Sequence, residues 1–321
     1  MKLIIQIPCY NEEETLPVTL ADLPREVKGF DTVEWLIVDD GSTDNTVQVA
    51  KDNGVDHIVR LNTNRGLATA FMAGLEGGLK RGADVIVNTD ADNQYNGADI
   101  PKLTAPIISK NAGMVLGARP ISEIEHFSWI KKTLQKLGSW VVRLASGSDV
   151  PDAPSGFRAL SREAALRMNV FNKHTYTLET IIQAGQTGIR VVSVDIGVNE
   201  DLRPSRLVKS IPSYVYRSFA TIFRIFVLYR PFRFFASIGL GFIFVAFLIG
   251  LRFLCYYYTG NGAGHIQSLI LAAILSGLGG MGIATAFLAD LMAANRRLLE
   301  DLQFRIRKQE YRDEHSAGKN A

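Results

Sequence analysis

Residues 234–251, FFASIGLGFIFVAFLIGL, contain no charged side chain, and neither do residues 266–289, IQSLILAAILSGLGGMGIATAFLA. Each is about as long as the roughly 20 residues that cross a bilayer as a helix. Two such segments in tandem seldom sit inside a soluble domain. They predict a transmembrane hairpin over 233–292. Gly277, Gly279, Gly280 and Gly282 would weaken a helix in water but allow close helix packing in lipid.

Lysine and arginine set the expected orientation. Thr259–His265, between the two segments, has neither residue. Residues 202–233 carry Arg203, Arg206, Lys209, Arg217, Arg224, Arg230 and Arg233 and no acid, and Arg296, Arg297, Arg305 and Arg307 follow the second segment. The positive-inside rule then puts both termini in the cytoplasm and the short loop outside. Arg252, near the outer end of the first span, can snorkel to the interface. The N-terminus, MKLIIQIPCYNEEE, is too short in its apolar part for a signal peptide, and acids follow at once. The expected location is an inner membrane crossed twice, with the preceding domain cytoplasmic. Residues 207–232 place Leu207, Ile211, Val215, Phe219, Ile222, Phe223 and Phe226 at helical steps among arginines. Such an amphipathic helix can lie among lipid headgroups or pack on another subunit. Residues 293–321 read as a tail, helical to about Arg312.

Residues 1–206 alternate strand and helix. Strands are expected at 3–8, 33–38, 57–61, 84–88, 113–117 and 189–194, with helices starting at Asn11–Glu14, at Thr43-Asp44, over 64–81 and over 99–110. This βαβα order predicts an α/β domain with a mainly parallel sheet covered on both faces. Ligands bind such sheets at the carboxyl ends of the strands, here Pro8–Glu12, Asp39–Ser42, Leu61–Gly66 and Asp90–Gln94.

Several chemistries are excluded. Two cysteines, Cys9 and Cys255, allow no disulfide framework, and the five histidines lack HExxH spacing. Lysine plus arginine total 35 against 32 aspartate plus glutamate, a net charge of +3, which argues against nucleic-acid binding driven by overall charge. The first strand is followed by Pro8-Cys9-Tyr10-Asn11-Glu12 rather than GxGxxG, and GxxxxGK[ST] is absent.

Asp90-Ala91-Asp92 is the most informative local pattern. Two carboxylates one residue apart at a strand end can share a hard cation with a diphosphate, since Mg²⁺ or Mn²⁺ takes one or two carboxylates plus phosphate oxygens and water. Gln94 can add an oxygen. Asp39 or Asp40 can accept from a base or a ribose, or cap the following helix.

Residues 5–14 (IQIPCYNEEE), 38–46 (VDDGSTDNT), 64–74 (NRGLATAFMAG), 88–95 (NTDADNQY) and 155–162 (SGFRALSR) together resemble a family 2 glycosyltransferase of the GT-A fold. With two C-terminal spans added, residues 1–292 resemble the polyprenyl-phosphate glycosyltransferases, which include dolichyl-phosphate mannose synthases and bacterial undecaprenyl-phosphate glycosyltransferases. The resemblance implies a nucleotide pocket lined by Pro8, Tyr10, Glu12 and Asp39, with Asp40 and Arg65 nearby. It implies a metal site of Asp90, Asp92 and Gln94, and Arg119 near the donor diphosphate. Ser155 and Arg158 would border sugar and acceptor. By their place just before the membrane segments, Arg203 and Arg206 are expected to bind the acceptor phosphate, the alternative being anionic lipid heads, and Lys131, beside Phe127, Trp129 and Ile130, is a further candidate. Catalysis would fall to Asp92, Arg119 and Asp40, and the family also implies a homo-oligomer, dimer or tetramer. Two departures stand out: Asn93-Gln94-Tyr95-Asn96 replaces a Leu-Gln-His-Pro-like run, and Arg203-Pro204-Ser205-Arg206 replaces Arg followed by Gly-x-Ser-Lys.

The implied reaction moves a sugar from a UDP- or GDP-hexose to a polyprenyl phosphate at a lipid bilayer. The alternative is a polysaccharide synthase, or another family 2 enzyme with a saccharide acceptor. Synthases usually carry Gln-x-x-Arg-Trp and more spans, and this chain lacks the motif.

Overall fold

A computed structural model describes residues 1–120, 150–170, 176–200, 227–260 and 262–317, with the single positions 143, 147, 220, 223 and 224. Lys131, Arg203, Arg206 and most of the expected amphipathic helix lie outside the described residues. The chain divides into two compact units, one of Met1–Ser218 with Glu300–Ala321 and one of Phe219–Leu299.

The first unit is built on seven strands. β1 (Lys2–Cys9), β2 (Thr32–Asp39), β3 (His57–Arg60), β4 (Val85–Asn88), β5 (Met114–Ala118), β6 (Arg158–Ser161) and β7 (Val191–Asp195) stand in the order β3-β2-β1-β4-β6-β5-β7. All neighbours run parallel except β6, which is antiparallel to both β4 and β5. β1 and β4 are buried on both faces, which is why they read as unbroken apolar runs rather than alternating ones. Leu3, Ile5, Ile7, Ile37, Val85, Val87 and Val115 form the centre of the core.

Helices α1 (Leu16–Asp22), α2 (Thr46–Asp52), α3 (Leu67–Lys80), α4 (Ile100–Ile108), α5 (Arg162–Arg167) and α6 (Thr177–Gln186) cover the sheet. α3 lies close on it because Gly74 and Gly78 present no side chain. A Cβ there would stand 2.5 Å from Gln6 Oε1 and 2.8 Å from Ile86 Cδ1. The mainly parallel α/β domain expected from the sequence is present. β6 was not expected: its four residues follow a long connection and carry no alternation that marks a strand. α1 also begins later than expected, at Leu16 after Thr15, with no side-chain cap at its start. The polar run 11–14 is therefore a turn that ends β1.

The second unit contains α7 (Pro231–Tyr258) and the first part of α8 (Ile266–Ala317). Both are long and apolar enough to cross a membrane. Of the four glycines marked in the second segment, two lie where the helices touch. A Cβ on Gly279 would stand 2.7 Å from the Gly239 carbonyl oxygen, and one on Gly282 would stand 3.0 Å from the Gly239 Cα. Gly277 and Gly280 face open space. The outward faces are apolar, with Leu240, Phe244, Phe247, Leu248, Met281 and Leu288 exposed.

Residues 293–317, read as a tail, continue α8, which is unbroken to Ala317. From Glu300 onward it belongs to the first unit. There Phe304 is buried under the Arg167 guanidinium, 3.9 Å from the ring centroid, and Arg307 Nη1 donates to the Met168 carbonyl at 3.0 Å.

Candidate active site

The parallel strands bring Pro8–Glu12, Asp39–Ser42, Leu61–Gly66 and Asp90–Gln94 to one edge of the sheet. At the end of β2, Asp39 is fully buried. Its Oδ1 accepts from the Ser42 amide at 2.9 Å, and its Oδ2 forms an ion pair with Arg60 Nε at 3.1 Å. Asp40, also buried, points to the next loop. Its Oδ1 accepts from the Arg65 amide at 2.7 Å and its Oδ2 from the Gly66 amide at 2.8 Å. Both oxygens are thus engaged in holding the turn into α3. The geometry has Asp40 position this turn, and neither Gly41 nor Gly66 tolerates a side chain. Gly66 has φ 92°, and a Cβ on Gly41 would strike the Thr63 backbone at 2.6 Å.

The β1 residues divide in two. Pro8 is buried in the strand, opposite Val38. Glu12 is buried as a strut: it accepts from Thr15 Oγ1 at 2.8 Å, and its amide donates to Thr46 Oγ1 at 2.8 Å. Tyr10 and Arg65 are exposed at the rim.

Beyond β4 the chain turns sharply through Asn93, whose φ of 55° suits a short polar side chain. Asn199 Nδ2 pins this turn by donating to the Asn93 carbonyl at 3.0 Å. The Gln94 amide donates to Asp92 Oδ1 at 3.3 Å. Among the described residues no donor reaches the Asp90 carboxylate. Burial first and the Asp92 charge second push its pKa up to about 7, against the pull of Arg119 and Arg158. A carboxylate pair short of positive charge suits a divalent cation. Among the described residues no three His, Cys, Asp or Glu side chains gather to cage a metal unaided.

Arg119 closes this end. Its Nε donates to Asp152 Oδ2 at 2.8 Å and its Nη2 to Asp152 Oδ1 at 3.2 Å, a paired contact that aims the planar guanidinium. Its Nη1 lies 3.5 Å from Gln94 Oε1. Burial is the largest single influence and lowers its pKa, but hydrogen bonding to Asp152 together with the charges of Tyr95, Asp152 and Asp90 raises it overall. Arg119, Gln94 and Asp92 are therefore gathered together.

Ser155 and Arg158 are both fully buried, beneath the site rather than on its wall. Arg158 Nη1 donates to the Thr177 carbonyl at 3.1 Å and to Thr180 Oγ1 at 2.5 Å, and its Nη2 donates to the Ser155 carbonyl. Arg158, expected to border sugar and acceptor, here holds the floor. Tyr176 lies between the Arg158 guanidinium, 5.0 Å from its ring, and Phe71, stacked at 3.9 Å. Asn88 Nδ2 donates to Tyr176 Oη at 2.9 Å and to the Gly156 carbonyl at 3.0 Å, and Gln6 Nε2 donates to Asn88 Oδ1 at 2.9 Å.

Sequence reasoning missed this floor. Gln6 and Asn88 did leave a signal, as polar residues inside buried apolar strands. Asp152 and Tyr176 left none, because their partners are 33 and 88 residues away.

An acidic pair at the carboxyl end of a mainly parallel sheet, with a buried aspartate two strands away at the end of β2, defines the site of a transferase on a GT-A-like fold. The profile described as "Glycosyl transferase family 2" matches residues 4–167, and the chain belongs to that family. Among similar proteins, the undecaprenyl-phosphate mannosyltransferase of Micrococcus luteus is 31% identical over 219 residues, covering 64% of this chain and 88% of that one. The polyprenol monophosphomannose synthase of Mycolicibacterium smegmatis is 27% identical over 208 residues, covering 61% and 77%. The crystal structure of glucosyl-3-phosphoglycerate synthase from Mycobacterium tuberculosis with Mn²⁺, UDP and glucosyl-3-phosphoglycerate superposes with a TM-score of 0.52 at 19% identity, covering 70% and 78%. At that identity the likeness is one of fold.

Proposed function

We propose that this chain transfers a sugar from a nucleotide sugar, a UDP- or GDP-hexose, to a polyprenyl phosphate, with inversion at the anomeric carbon and with Mg²⁺ or Mn²⁺ as cofactor. The observation that carries the reading is the Asp90–Asp92 pair with the Asp152-oriented Arg119 beside it. The two apolar helices and the two polyprenyl-phosphate relatives support a lipid acceptor at a membrane.

Asp39 accepts from the nucleotide, and Tyr10 and Arg65 lie on the rim that the donor crosses. Asp90 and Asp92, with Gln94, would hold the cation, which would neutralise charge growing on the departing nucleoside diphosphate. Arg119 stabilises the same charge from a fixed direction, at no cost in reorientation when the bond breaks. The acceptor needs no general base, because a phosphate monoester with its second pKa near ~6 is mostly dianionic at pH 7. Its oxygen attacks the anomeric carbon in one displacement, so catalysis rests on alignment and on leaving-group stabilisation. Arg203 and Arg206, with Lys131, are the cations we assign to the acceptor phosphate. Both termini and the sheet domain are assigned to the cytoplasm, and the chain to a homo-oligomer.

The test is nucleoside diphosphate release by detergent-solubilised protein given UDP- and GDP-sugars, with and without undecaprenyl phosphate, in Mn²⁺ and in EDTA. Lipid-dependent, EDTA-sensitive release from one donor is the expected result. Release independent of lipid overturns the acceptor assignment in favour of a saccharide or water.

A further inference from the structure

The buried Asp39 carboxylate is satisfied unequally. Oδ1 has the Ser42 amide at 2.9 Å. Oδ2 is shut from solvent, accepts no hydrogen bond among the described residues, and has Arg60 Nε at 3.1 Å as its ion-pair partner. The two side chains differ sharply in freedom: Asp39 is 0% exposed and fixed, whereas Arg60 is 63% exposed at the last residue of β3. A buried acceptor without a hydrogen bond is a costly arrangement. Here it is covered by a long side chain that solvent can readily draw away. Such an oxygen is poised to exchange one partner for a better one.

We propose that Arg60 is a positioning residue for nucleobase selection, covering Asp39 Oδ2 when no nucleotide is bound and yielding it to a base that offers a ring N–H. This rests on the donor-site assignment above and adds the residue that sets the choice of base. A carboxylate in an ion pair has acceptor lone pairs and no proton to give. Uracil and guanine present a ring N–H on the edge that would meet Oδ2. Cytosine and adenine present a bare ring nitrogen there, so acceptor would face acceptor. A site built to receive an N–H rejects analogues that lack it, because its own buried group is then left unpaired. Arg60 sets the reference for that exchange. An ion pair is weakened where one partner is exposed to solvent, so a well-aligned N–H displaces it and a ring nitrogen does not.

The experiment is equilibrium binding of UDP, GDP, CDP and ADP to the full-length detergent-solubilised protein in Mn²⁺, by calorimetry. The proteins compared are the unaltered chain, Arg60→Ala, Arg60→Lys and Asp39→Asn. The unaltered chain is expected to bind UDP or GDP at least tenfold more tightly than CDP and ADP. Arg60→Ala removes the competitor and leaves Oδ2 without a partner in the free protein. It is expected to tighten the preferred diphosphate by about threefold or more and to widen its margin over CDP and ADP. Arg60→Lys restores the original affinity. Asp39→Asn, which offers both a donor and an acceptor, erases the preference. If Arg60 merely supports the end of β3, Arg60→Ala weakens all four diphosphates equally, and that outcome overturns the proposal, as does an unchanged affinity and preference. Binding of none of the four by the unaltered chain overturns the donor site itself, a result distinct from binding without preference.

Discussion

A Cβ on Gly156 would stand 2.9 Å from Asp90 Oδ2 and 3.0 Å from Oδ1, so the carboxylate rests on a residue that must have no side chain. The residue cannot retreat. Its amide donates to Tyr95 Oη at 2.9 Å, its carbonyl takes Asn88 Nδ2 at 3.0 Å, and Tyr176 Oη would also lie 3.1 Å from the added carbon. Gly156→Ala therefore displaces Asp90 rather than the floor. A misplacement near ~1 Å in catalytic geometry costs about a hundredfold. The expected result is a loss of that order in kcat, with the Mn²⁺ needed for half-maximal rate raised. Mn²⁺ titration of initial rates checks it, and an unchanged titration curve counts against contact between Asp90 and the ion.

Asp90 also predicts a pH effect on the metal-free protein. Its pKa rises from 3.8 to about 7 in the fold, chiefly through burial and then through Asp92. The folded chain thus holds the proton more tightly than the unfolded chain does. That contribution to stability is fully present below pH 4, declines as pH climbs to about 7 and is absent above. The slope is at most about 1.4 kcal/mol per pH unit for one proton. In EDTA, Asp90→Asn lacks the slope, so its melting temperature relative to the unaltered chain increases from pH 4 to pH 8. Parallel curves for the two proteins across that range would contradict the assignment.

Asp40 is expected to act through the loop it holds. Asp40→Ala frees the amides of Arg65 and Gly66, which now donate at 2.7 and 2.8 Å. Hydrogen bonds to a charged acceptor contribute about 1.5–3 kcal/mol each. The variant should melt at lower temperature and show a raised donor KM, with kcat changed less than tenfold. Asp40→Asn keeps one acceptor and should fall between. A large fall in kcat at unchanged KM would return Asp40 to the catalytic role that the sequence suggested.

The sheet domain and the acidic pair were legible because both are local. Apolar runs of four to eight residues, polar strand ends and Asp90-Ala91-Asp92 each lie within a few residues. β6 was not legible, since a short antiparallel insertion has the same composition as a loop. The contacts of Arg158 and Asp40 were not legible, for one physical reason. A charged residue at a strand end looks the same in sequence whether it faces a ligand or a buried carbonyl or amide. Arg158 turned inward to Thr177, Thr180 and Ser155, and Asp40 sideways to Arg65 and Gly66. The helical end of α8 was visible in sequence as a helix, but its partner surface on α5 was not.

That surface yields the last prediction. Phe304 is 8% exposed, with Arg167 over its ring at 3.9 Å and Lys308 at 5.7 Å, and Arg307 beside it caps the Met168 carbonyl. Met168 ends α5, the six-residue helix that follows β6. So short a helix has little stability of its own, and its last turn relies on what packs against it. Replacing a wholly buried phenylalanine by alanine costs 3–5 kcal/mol in a core. Here part of the ring's cover is two flexible cations, so about 2 kcal/mol is expected for Phe304→Ala. The loss should be local. In hydrogen exchange of the full-length protein, amides of residues 162–170 lose protection while those of β1 and β4, buried on both faces, keep theirs. Arg307→Ala should produce the same pattern more weakly. If protection at 162–170 is unchanged in both variants, the end of α8 contributes nothing to holding α5.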